Sequence, residues 1–254
     1  MPPAPQATPV SPAAILPLRA RYREEMNCQI VHDSIHRRAG WTLTYQLEIG
    51  PAVAGFGSVA VGGPWKDKPA VLEFYVLPEH RVRAFELFET FLAAGGAHFF
   101  EAQSNDAMFA AMVLTYGREV ESEKIVFYDK ATTALPANGA ILKCVTPEEV
   151  VQIALDQRQG GSEWTLEVDG ALAGKGGVLF HYNRPYGDVY MEISEPFRRR
   201  GLGSYLVQEL KRACYELGAV PCARCSPGNV PSRRTLQRAG FVPFAHILTG
   251  KFVS

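Results

Sequence analysis

The segment from residue 189 to residue 240 constrains the fold more than any other, because it predicts a strand, a glycine turn and a helix in immediate succession. The apolar run at 189–193 is typical of a buried strand. A basic turn follows, with the sequence RRRGLGS at 198–204. A helix is predicted over about 202–217, since apolar side chains recur every three or four residues and Gly218 supplies a C-terminal stop.

This succession is suited to binding phosphate groups. The first amides of a helix have no internal partner, and the helix dipole makes that end positive. The glycines of the turn remove side chains that would hold a pyrophosphate away from those amides, and the arginines add charge-assisted hydrogen bonds. The predicted phosphate-binding residues are Arg198, Arg199, Arg200, Gly201, Leu202, Gly203 and Ser204.

The turn resembles the signature of the GNAT superfamily of acyl-CoA-dependent N-acetyltransferases, Gln/Arg-x-x-Gly-x-Gly/Ala, which Arg198, Gly201 and Gly203 match. A second block has the spacing of the family's asparagine-containing helix and final strand; its matching residues are Asn229, Ser232 and the closing pair Gly240-Phe241. The two blocks cover roughly residues 147–254. The resemblance implies an α/β (α+β) fold with a mixed sheet flanked by helices, and acetyl-CoA as the acyl donor. A strand–turn–helix that occurs by chance in another α/β domain is the alternative.

The resemblance also implies roles around the thioester. In the family the pantetheine arm pairs with the strand before the turn, here around Ile193 to Glu195. The family's oxyanion donor is a backbone N–H on that strand, which by position falls near Ile193. Asn229 matches a residue that reaches the cofactor, although asparagine is also favoured as a helix N-cap. Ser232 would contact the cofactor or face solvent.

Glu192 is the predicted general base. It is a carboxylate in an otherwise apolar strand next to the expected thioester, where partial burial would suit it to this role. An orientation towards solvent is the competing interpretation, because neighbours along a strand alternate faces. Other candidate bases are Asp188, Tyr190 and His181. Leu236 stands where many family members have a tyrosine that protonates the leaving thiolate, so no general acid is identified.

The first half of the chain repeats the order of elements predicted for the second half. Residues 18–130 and 147–254 both read as helix, strands, helix, strand, helix and strand, which indicates an internal duplication with an offset near 120 residues. Arg83 and Phe85 stand where the second copy has its turn glycines. The first copy is therefore predicted to be a degenerate domain that lacks the cofactor turn and shapes the acceptor cleft. An unrelated α+β domain is the alternative.

Composition and periodicity predict the boundaries of the arm, the linker, and the remaining helices and strands. Residues 1–17 carry six prolines and are expected to be a flexible arm, and residues 131–146 are expected to be a linker. The predicted helices are 18–38, 79–94, 105–115 and 147–159. The further predicted strands are 41–49, 53–61, 70–77, 98–103, 120–128, 164–168, 171–180 and 246–253.

Charge and cysteine usage narrow the classes of partner. With 254 residues and no formal net charge, the chain has no overall attraction to nucleic acid or to anionic membranes. The arginines could form a local nucleic-acid patch, but no aromatic stacking platform is interleaved with them. Five irregularly spaced cysteines without a secretory signal favour a cytoplasmic setting. Cys222 and Cys225 form C-x-x-C without a second ligand pair at zinc spacing, so no metal is expected.

We therefore expect an N-acetyltransferase that moves an acetyl group from acetyl-CoA to a primary amine of a small molecule or a protein. Direct attack in a ternary complex is the expected route. A non-catalytic acyl-CoA-binding sensor or scaffold is the competing class, and transfer of a longer acyl group is a third possibility. A fused pair of domains is expected to act as a monomer or homodimer.

Overall fold

A computed structural model describes residues 3–29, 33–145 and 161–252. The chain divides into two compact units. Unit 1 consists of residues 1–123 together with 246–254, and unit 2 consists of residues 124–245. The helix predicted at 147–159 lies outside the described residues.

Unit 1 combines a mixed sheet with helices. The helices are α1 (Leu16–Met26), α2 (Asp33–His36), α3 (Ala84–Gly95) and α4 (Ala107–Tyr116). The strands are β1 (Pro5–Val10), β2 (Thr42–Ile49), β3 (Ala52–Ala60), β4 (Ala70–Val76), β5 (Phe99–Gln103) and parts of β6 (Gly117–Asp129) and β12 (Phe241–Phe252). Their order is β1-β2-β3-β4-β5-β12-β6. Among the pairs of unit 1 whose register is described, only β4 and β5 pair in parallel.

Unit 2 has the same kind of sheet. Its further strands are β7 (Ala140–Cys144), β8 (Ser162–Val168), β9 (Ala171–Leu179), β10 (Tyr186–Ile193) and β11 (Val220–Cys225). Its helices in the described part of the chain are α5 (Leu202–Glu216) and α6 (Val230–Arg238). The strand order is β6-β11-β10-β9-β8-β7, and β10 and β11 form its parallel pair.

The two units repeat one order of elements, which confirms the predicted tandem fold. In unit 1, β4 is followed by a short 3-10 helix, α3, β5, α4 and β6. In unit 2, β10 is followed by a short 3-10 helix, α5, β11, α6 and β12. In each unit the helix after the 3-10 turn connects two neighbouring parallel strands.

Each sheet also contains strand residues from the other half of the sequence. Residues Ile125–Tyr128 of β6 pair with Cys222–Cys225 of β11 in unit 2. Residues Ile247–Lys251 of β12 pair with Phe99–Gln103 of β5 in unit 1. In the sheet order of unit 1, the strand next to β5 is therefore β12, which comes from the C-terminal part of the sequence.

The expectation that residues 1–17 form a flexible arm is wrong for the described residues from Pro3 onwards. Pro5–Val10 forms β1, which pairs antiparallel with β2 at one end of the sheet order of unit 1. An edge strand tolerates proline because one of its sides needs no backbone donors. Ile15 then packs into the core with Tyr22 of α1. The helix predicted at 18–38 is also interrupted, since Asn27 ends α1 with a left-handed φ of 48°.

The predicted linker at 131–146 is in fact part of unit 2. Its residues Ala140–Cys144 form β7 and pair antiparallel with β8. The preceding residues are held against α5, where Gln208 Oε1 accepts hydrogen bonds from Thr133 Oγ1 at 2.8 Å and from Leu135 N–H at 2.7 Å. Composition did not predict these contacts because they depend on a helix about seventy residues later in the chain.

Helix α5 positions the turn at its N-terminus by packing on the sheet of unit 2. Its side chains Leu202, Leu206 and Leu210 are fully or almost fully buried in one apolar core. Their spacing of four residues places them on one face of the helix. Burial of each such side chain contributes about 1.5–3 kcal/mol, so the start of α5 is held firmly beside the end of β10.

Candidate functional site

Strands β10 and β11 begin as neighbours and then diverge. Their parallel pairing ends at Asp188 and Cys222. However, β10 continues to Ile193 and β11 to Cys225. The last residues of β10 are therefore paired with β9 on one side, while their other side faces a gap between the strands.

The backbone of Ile193 points into this gap. The next amide, Ser194 N–H, donates to the carbonyl of Ala173 beside β10 at 2.9 Å. Because successive peptide groups alternate in direction along a strand, the N–H of Ile193 faces the opposite way, towards the gap. The carbonyl of Ile193 shares that side, and it accepts a hydrogen bond from Arg198 Nε at 3.0 Å.

The turn between β10 and α5 holds two residues in left-handed conformations. Arg199 has a φ of 62°, and Gly201, immediately before α5, has a φ of 82°. Asn138 Nδ2 donates to the carbonyl of Arg200 at 3.2 Å and so fixes the turn. Among the described residues, no side chain caps the N-terminus of α5 with a hydrogen bond. The first amides of this helix are therefore suited to an anionic ligand.

A cavity of about 780 Å³ lies along this turn, which is within the range of a small-molecule site. Ten predicted residues line it, namely Glu192, Ile193, Arg198, Arg199, Gly201, Leu202, Gly203, Ser204, Asn229 and Ser232. Glu195 and Arg200 do not line the cavity. Glu195 is exposed at the start of the 3-10 turn. The guanidinium carbon of Arg200 lies 5.4 Å from the centre of the Phe197 ring.

Gly203 lets the two helices and the strand of the site approach each other. A Cβ atom at this position would lie 3.3 Å from Thr235 Cγ2 on α6 and 3.5 Å from Ile193 Cγ1 on β10. Any larger side chain at position 203 has to enter the cavity or separate these elements. By contrast, among the described residues only Asn138 would lie within 4 Å of a Cβ at Gly201, so at position 201 the glycine serves the left-handed backbone.

Asn229 acts as the N-cap of α6. Its Oδ1 accepts a hydrogen bond from Ser232 N–H at 3.1 Å. Asn229 and Ser232 both also line the cavity, so the two interpretations of Asn229 are compatible. Leu236, one turn further along α6, is 5% exposed and packs in the core of unit 2. A side chain at this position is therefore directed into the core.

The partial burial expected for Glu192 is wrong, because its side chain is 65% exposed. Its Oε2 lies 3.4 Å from Lys175 Nζ on the neighbouring strand β9. Glu192 is the last but one residue of β10. It still lines the cavity.

Two other candidate bases share the face of Glu192. Asp188 is 3% exposed, and burial raises the pKa of its carboxyl group to about 6, although the ion pair with Arg224 at 3.5 Å opposes the rise. Tyr190 donates to Glu163 Oε1 at 2.8 Å, and burial together with this carboxylate raises the pKa of Tyr190 to about 12. His181 lies in the connection between β9 and β10.

Sequence reasoning missed several cavity residues, which are Met191, Phe197, Pro231, Arg234, Thr235 and Arg238. Arg234 and Arg238 had a recognisable signal, because residues four apart lie on one face of a helix. The apolar residues had none, since nothing in a sequence distinguishes a cavity wall from the core beside it.

The C-x-x-C cysteines belong to β11 and are both buried. Burial raises the pKa of the Cys222 and Cys225 thiols, so neither is disposed to form a thiolate. Within residues 3–29, 33–145 and 161–252, no group of three or more His, Cys, Asp or Glu side chains could hold a metal ion. None of the described helices is long and apolar enough to span a membrane.

The corresponding turn of unit 1 has a different character. Arg83 donates to Glu86 and to the carbonyl of Pro3 at 2.8 Å, so neighbouring groups satisfy its charge and donors. The ring of Phe85 lies 6.3 Å from that of Tyr116 on α4. An aromatic contact therefore bridges the two helices that correspond to the cavity walls α5 and α6.

Comparison with known proteins gives one family. Residues 137–241 match the model of the acetyltransferase (GNAT) family, which confirms the resemblance of the turn and the asparagine block. Comparison with curated proteins gives no significant match.

Several solved structures that are similar to the whole chain are described as GNAT proteins. An acetyltransferase from the GNAT family of Colwellia psychrerythraea has a TM-score of 0.70 at 16% identity, over 98% of this chain and 100% of that one. A GCN5-related N-acetyltransferase from Sphaerobacter thermophilus has a TM-score of 0.63 at 15% identity, over 97% and 95%. A tandem GNAT protein from the clavulanic acid biosynthesis pathway has a TM-score of 0.60 at 16% identity, over 98% of both chains. At these identities the similarity shows the fold alone.

Proposed function

We propose that this chain, whose residues 137–241 form a domain of the GNAT acetyltransferase family, transfers an acetyl group from acetyl-CoA to a primary amine of a small molecule or a protein. The observation that carries the proposal is the gap between β10 and β11, which leads from the buried Asp188 to the uncapped N-terminus of α5. On unit 2 a cavity is lined by the end of β10 and the start of α5, and Asp188 is not among its lining residues. The degenerate turn of unit 1 favours a single donor site per chain.

The residues of the cavity fit the donor. Acetyl-CoA supplies an activated acyl group on a long amide-containing arm that ends in a pyrophosphate. The amides from Arg199 to Ser204 have the direction and charge to bind the pyrophosphate, and Arg198 and Arg199 add positive charge. The unpaired backbone edge of β10 around Ile193 can accept the arm as an additional strand.

The backbone N–H of Ile193 is proposed as the donor to the developing oxyanion. It faces the gap and is held there by the pairing of β10 with β9. A fixed N–H of this kind needs no reorganisation when charge develops, and loss of such a donor typically costs about 100- to 1000-fold in rate. The hydrogen bond from Arg198 to the Ile193 carbonyl polarises the neighbouring peptide and restrains its orientation.

Two carboxylates are proposed as candidates for the base that accepts the amine proton. Glu192 lines the cavity and can act directly or through water. Asp188 is favoured by its pKa of about 6, which lies near the working range of a general base. If Asp188 is the base, the rate should have an acidic limb with an inflection near pH 6.

A second candidate function is an acyl-CoA-binding sensor without catalysis. The observation that favours it is the burial of Leu236, since no hydroxyl group is available there to protonate the leaving thiolate. A CoA thiol is acidic enough to leave without such help, so we favour the enzyme. Release of free CoA on incubation with a panel of amines would distinguish the enzyme from the sensor.

The donor site can be tested by thermal unfolding with and without acetyl-CoA. At a hundredfold excess over Kd, specific binding stabilises the protein by about 2.7 kcal/mol, which raises Tm by roughly 5–10 °C for a chain of this size. The variant Gly203→Trp should lose this shift, because its side chain starts 3.3 Å from Thr235 and extends into the cavity. Leu172→Trp, at an exposed position on β9, should keep it. An unshifted wild-type Tm would contradict the proposed function.

A further inference from the structure

The cavity of unit 2 carries more positive charge than a pyrophosphate requires. Four arginines line it, and Glu192 is the carboxylate among its described lining residues. Two of the arginines, Arg198 and Arg199, belong to the turn that precedes α5. The other two, Arg234 and Arg238, belong to α6 and are separate from the phosphate-binding turn.

Arg234 and Arg238 form a pair on one face of α6. Residues four apart on a helix have Cβ atoms about 6 Å apart, so their guanidinium groups can reach one ligand together. Both side chains line the cavity, and both residues are exposed. Thr235 beside them is the residue that approaches Gly203, which brings this face of α6 against the start of α5.

The pair has no partner in the described part of the chain. No carboxylate oxygen lies within 4.0 Å of Arg234 or Arg238 there, and neither side chain donates a hydrogen bond to a described residue. The other arginines of α5 and β11 differ, since Arg212 pairs with Glu209 and Arg224 with Asp188. Two adjacent, uncompensated cations on a cavity wall are suited to a dianionic ligand.

We propose that Arg234 and Arg238 bind the 3′-phosphate of CoA and make the site selective for CoA over dephospho-CoA. This inference rests on the proposed function. CoA carries its 3′-phosphate as a monoester separate from the pyrophosphate, so it needs a second set of cations. The turn is suited to the pyrophosphate, and the α6 pair is the remaining cation set among the described residues that line the cavity. Two guanidinium groups can hold the three terminal oxygens of one monoester by charge-assisted hydrogen bonds.

The experiment compares the Kd of CoA with that of dephospho-CoA by isothermal titration calorimetry. The wild type should bind CoA about 10- to 100-fold more tightly, as hydrogen bonds to charged groups predict. In Arg234→Gln/Arg238→Gln this ratio should fall to about one, while the Kd of dephospho-CoA stays within about twofold of the wild type. Arg234→Lys/Arg238→Lys keeps the charge and should retain part of the ratio. Arg212→Gln, which removes an arginine from α5 outside the cavity, is the matched control and should leave the ratio unchanged.

The outcomes separate the two proposals. Equal affinities of the wild type for the two ligands would overturn the 3′-phosphate subsite and leave the proposed function standing. If Arg234→Gln/Arg238→Gln still binds CoA more tightly than dephospho-CoA, the 3′-phosphate does not bind to the α6 pair, and the subsite is again overturned. Failure of the wild type to bind either ligand would overturn the proposed function, and the subsite with it. The unliganded Tm of each variant shows that it is folded.

Discussion

Lys211 Nζ lies 2.6 Å from Asp129 Oδ1, and the two side chains are only 5% and 9% exposed. The same ammonium group donates to the carbonyl oxygens of Ala131 at 2.8 Å and Ala239 at 2.7 Å. A single buried cation thus joins α5 to the end of β6 and to the end of α6. Because α5 and α6 both line the cavity, this contact fixes the separation of its walls.

Lys211→Met should be strongly destabilising. The variant leaves the Asp129 carboxylate buried without its cation and two carbonyl groups without their donor, and removal of one partner from a buried pair costs about 3–5 kcal/mol. The free energy of unfolding, measured by urea denaturation, gives the loss. Lys211→Met/Asp129→Asn should recover part of it, since no buried charge remains. A loss below about 1 kcal/mol would mean that the pair behaves like a surface ion pair.

Arg199→Gly should change stability and binding in opposite directions. Arg199 holds a left-handed φ of 62°, and glycine removes a cost of about 1–2 kcal/mol for that conformation. Urea denaturation should therefore show equal or greater stability. The Kd of acetyl-CoA should nevertheless rise by about tenfold, because a charge-assisted bond to phosphate is lost. Arg200→Gln is the control: its side chain lies on Phe197 outside the cavity, so its Kd should stay within about twofold of the wild type.

The free energy of unfolding of Asp188→Asn, taken relative to that of the wild type, should increase as the pH rises. The pKa of Asp188 is raised from 3.8 to about 6 in the folded protein, so the folded state binds this proton more tightly than the unfolded chain. The proton on Asp188 therefore contributes its full stabilisation below the pKa of this group in the unfolded chain, and the stabilisation is lost as the pH rises through about 6. Above that pH the wild type holds a desolvated carboxylate, and asparagine avoids it.

Urea unfolding at about pH 4 and about pH 8 measures the effect. The free energy of unfolding of Asp188→Asn minus that of the wild type should be higher at the higher pH by on the order of 2 kcal/mol. Asp169→Asn, at an exposed turn with a φ of 51°, is the matched control and should show no such change. A difference that is independent of pH would contradict a raised pKa for Asp188.

A fragment that begins at residue 130 should not fold. It lacks Ile125–Tyr128, which pair with Cys222–Cys225, and it lacks Asp129, the partner of Lys211. A fragment of residues 124–254 keeps all of these contacts and is the matched comparison. Circular dichroism during thermal unfolding should show a cooperative transition for 124–254 and none for 130–254. A cooperative transition in the shorter fragment would mean that β11 needs no partner on that side.

The phosphate turn could be predicted from sequence because its chemistry is local. Arg198, Gly201 and Gly203 lie within six residues, and the apolar run before them and the helical periodicity after them predict the flanking strand and helix. The exposure of Glu192 could not be predicted, since it depends on which elements cover that face of β10. The same limit applies to Arg200, whose position in the turn predicted a ligand contact but whose side chain lies on Phe197.

The errors at the fold level have one physical cause. Composition describes a segment alone, whereas a strand is stabilised by a partner that can lie far away in the sequence. Pro5–Val10 was expected to be flexible from its prolines, yet its partner strand begins at Thr42. The exchange of β6 and β12 was not predicted for the same reason, because helix and strand periodicity contain no information about pairing.

The origin of β12 also has a consequence for biosynthesis. Domains near the N-terminus usually fold first while the ribosome is still making the rest of the chain. Here the segment Ile247–Lys251, which completes the pairing of β5, is translated only after residues 124–245 of unit 2. The nascent N-terminal unit must therefore leave this side of β5 unpaired until unit 2 has been synthesised, so its sheet is completed only after the second unit has been made.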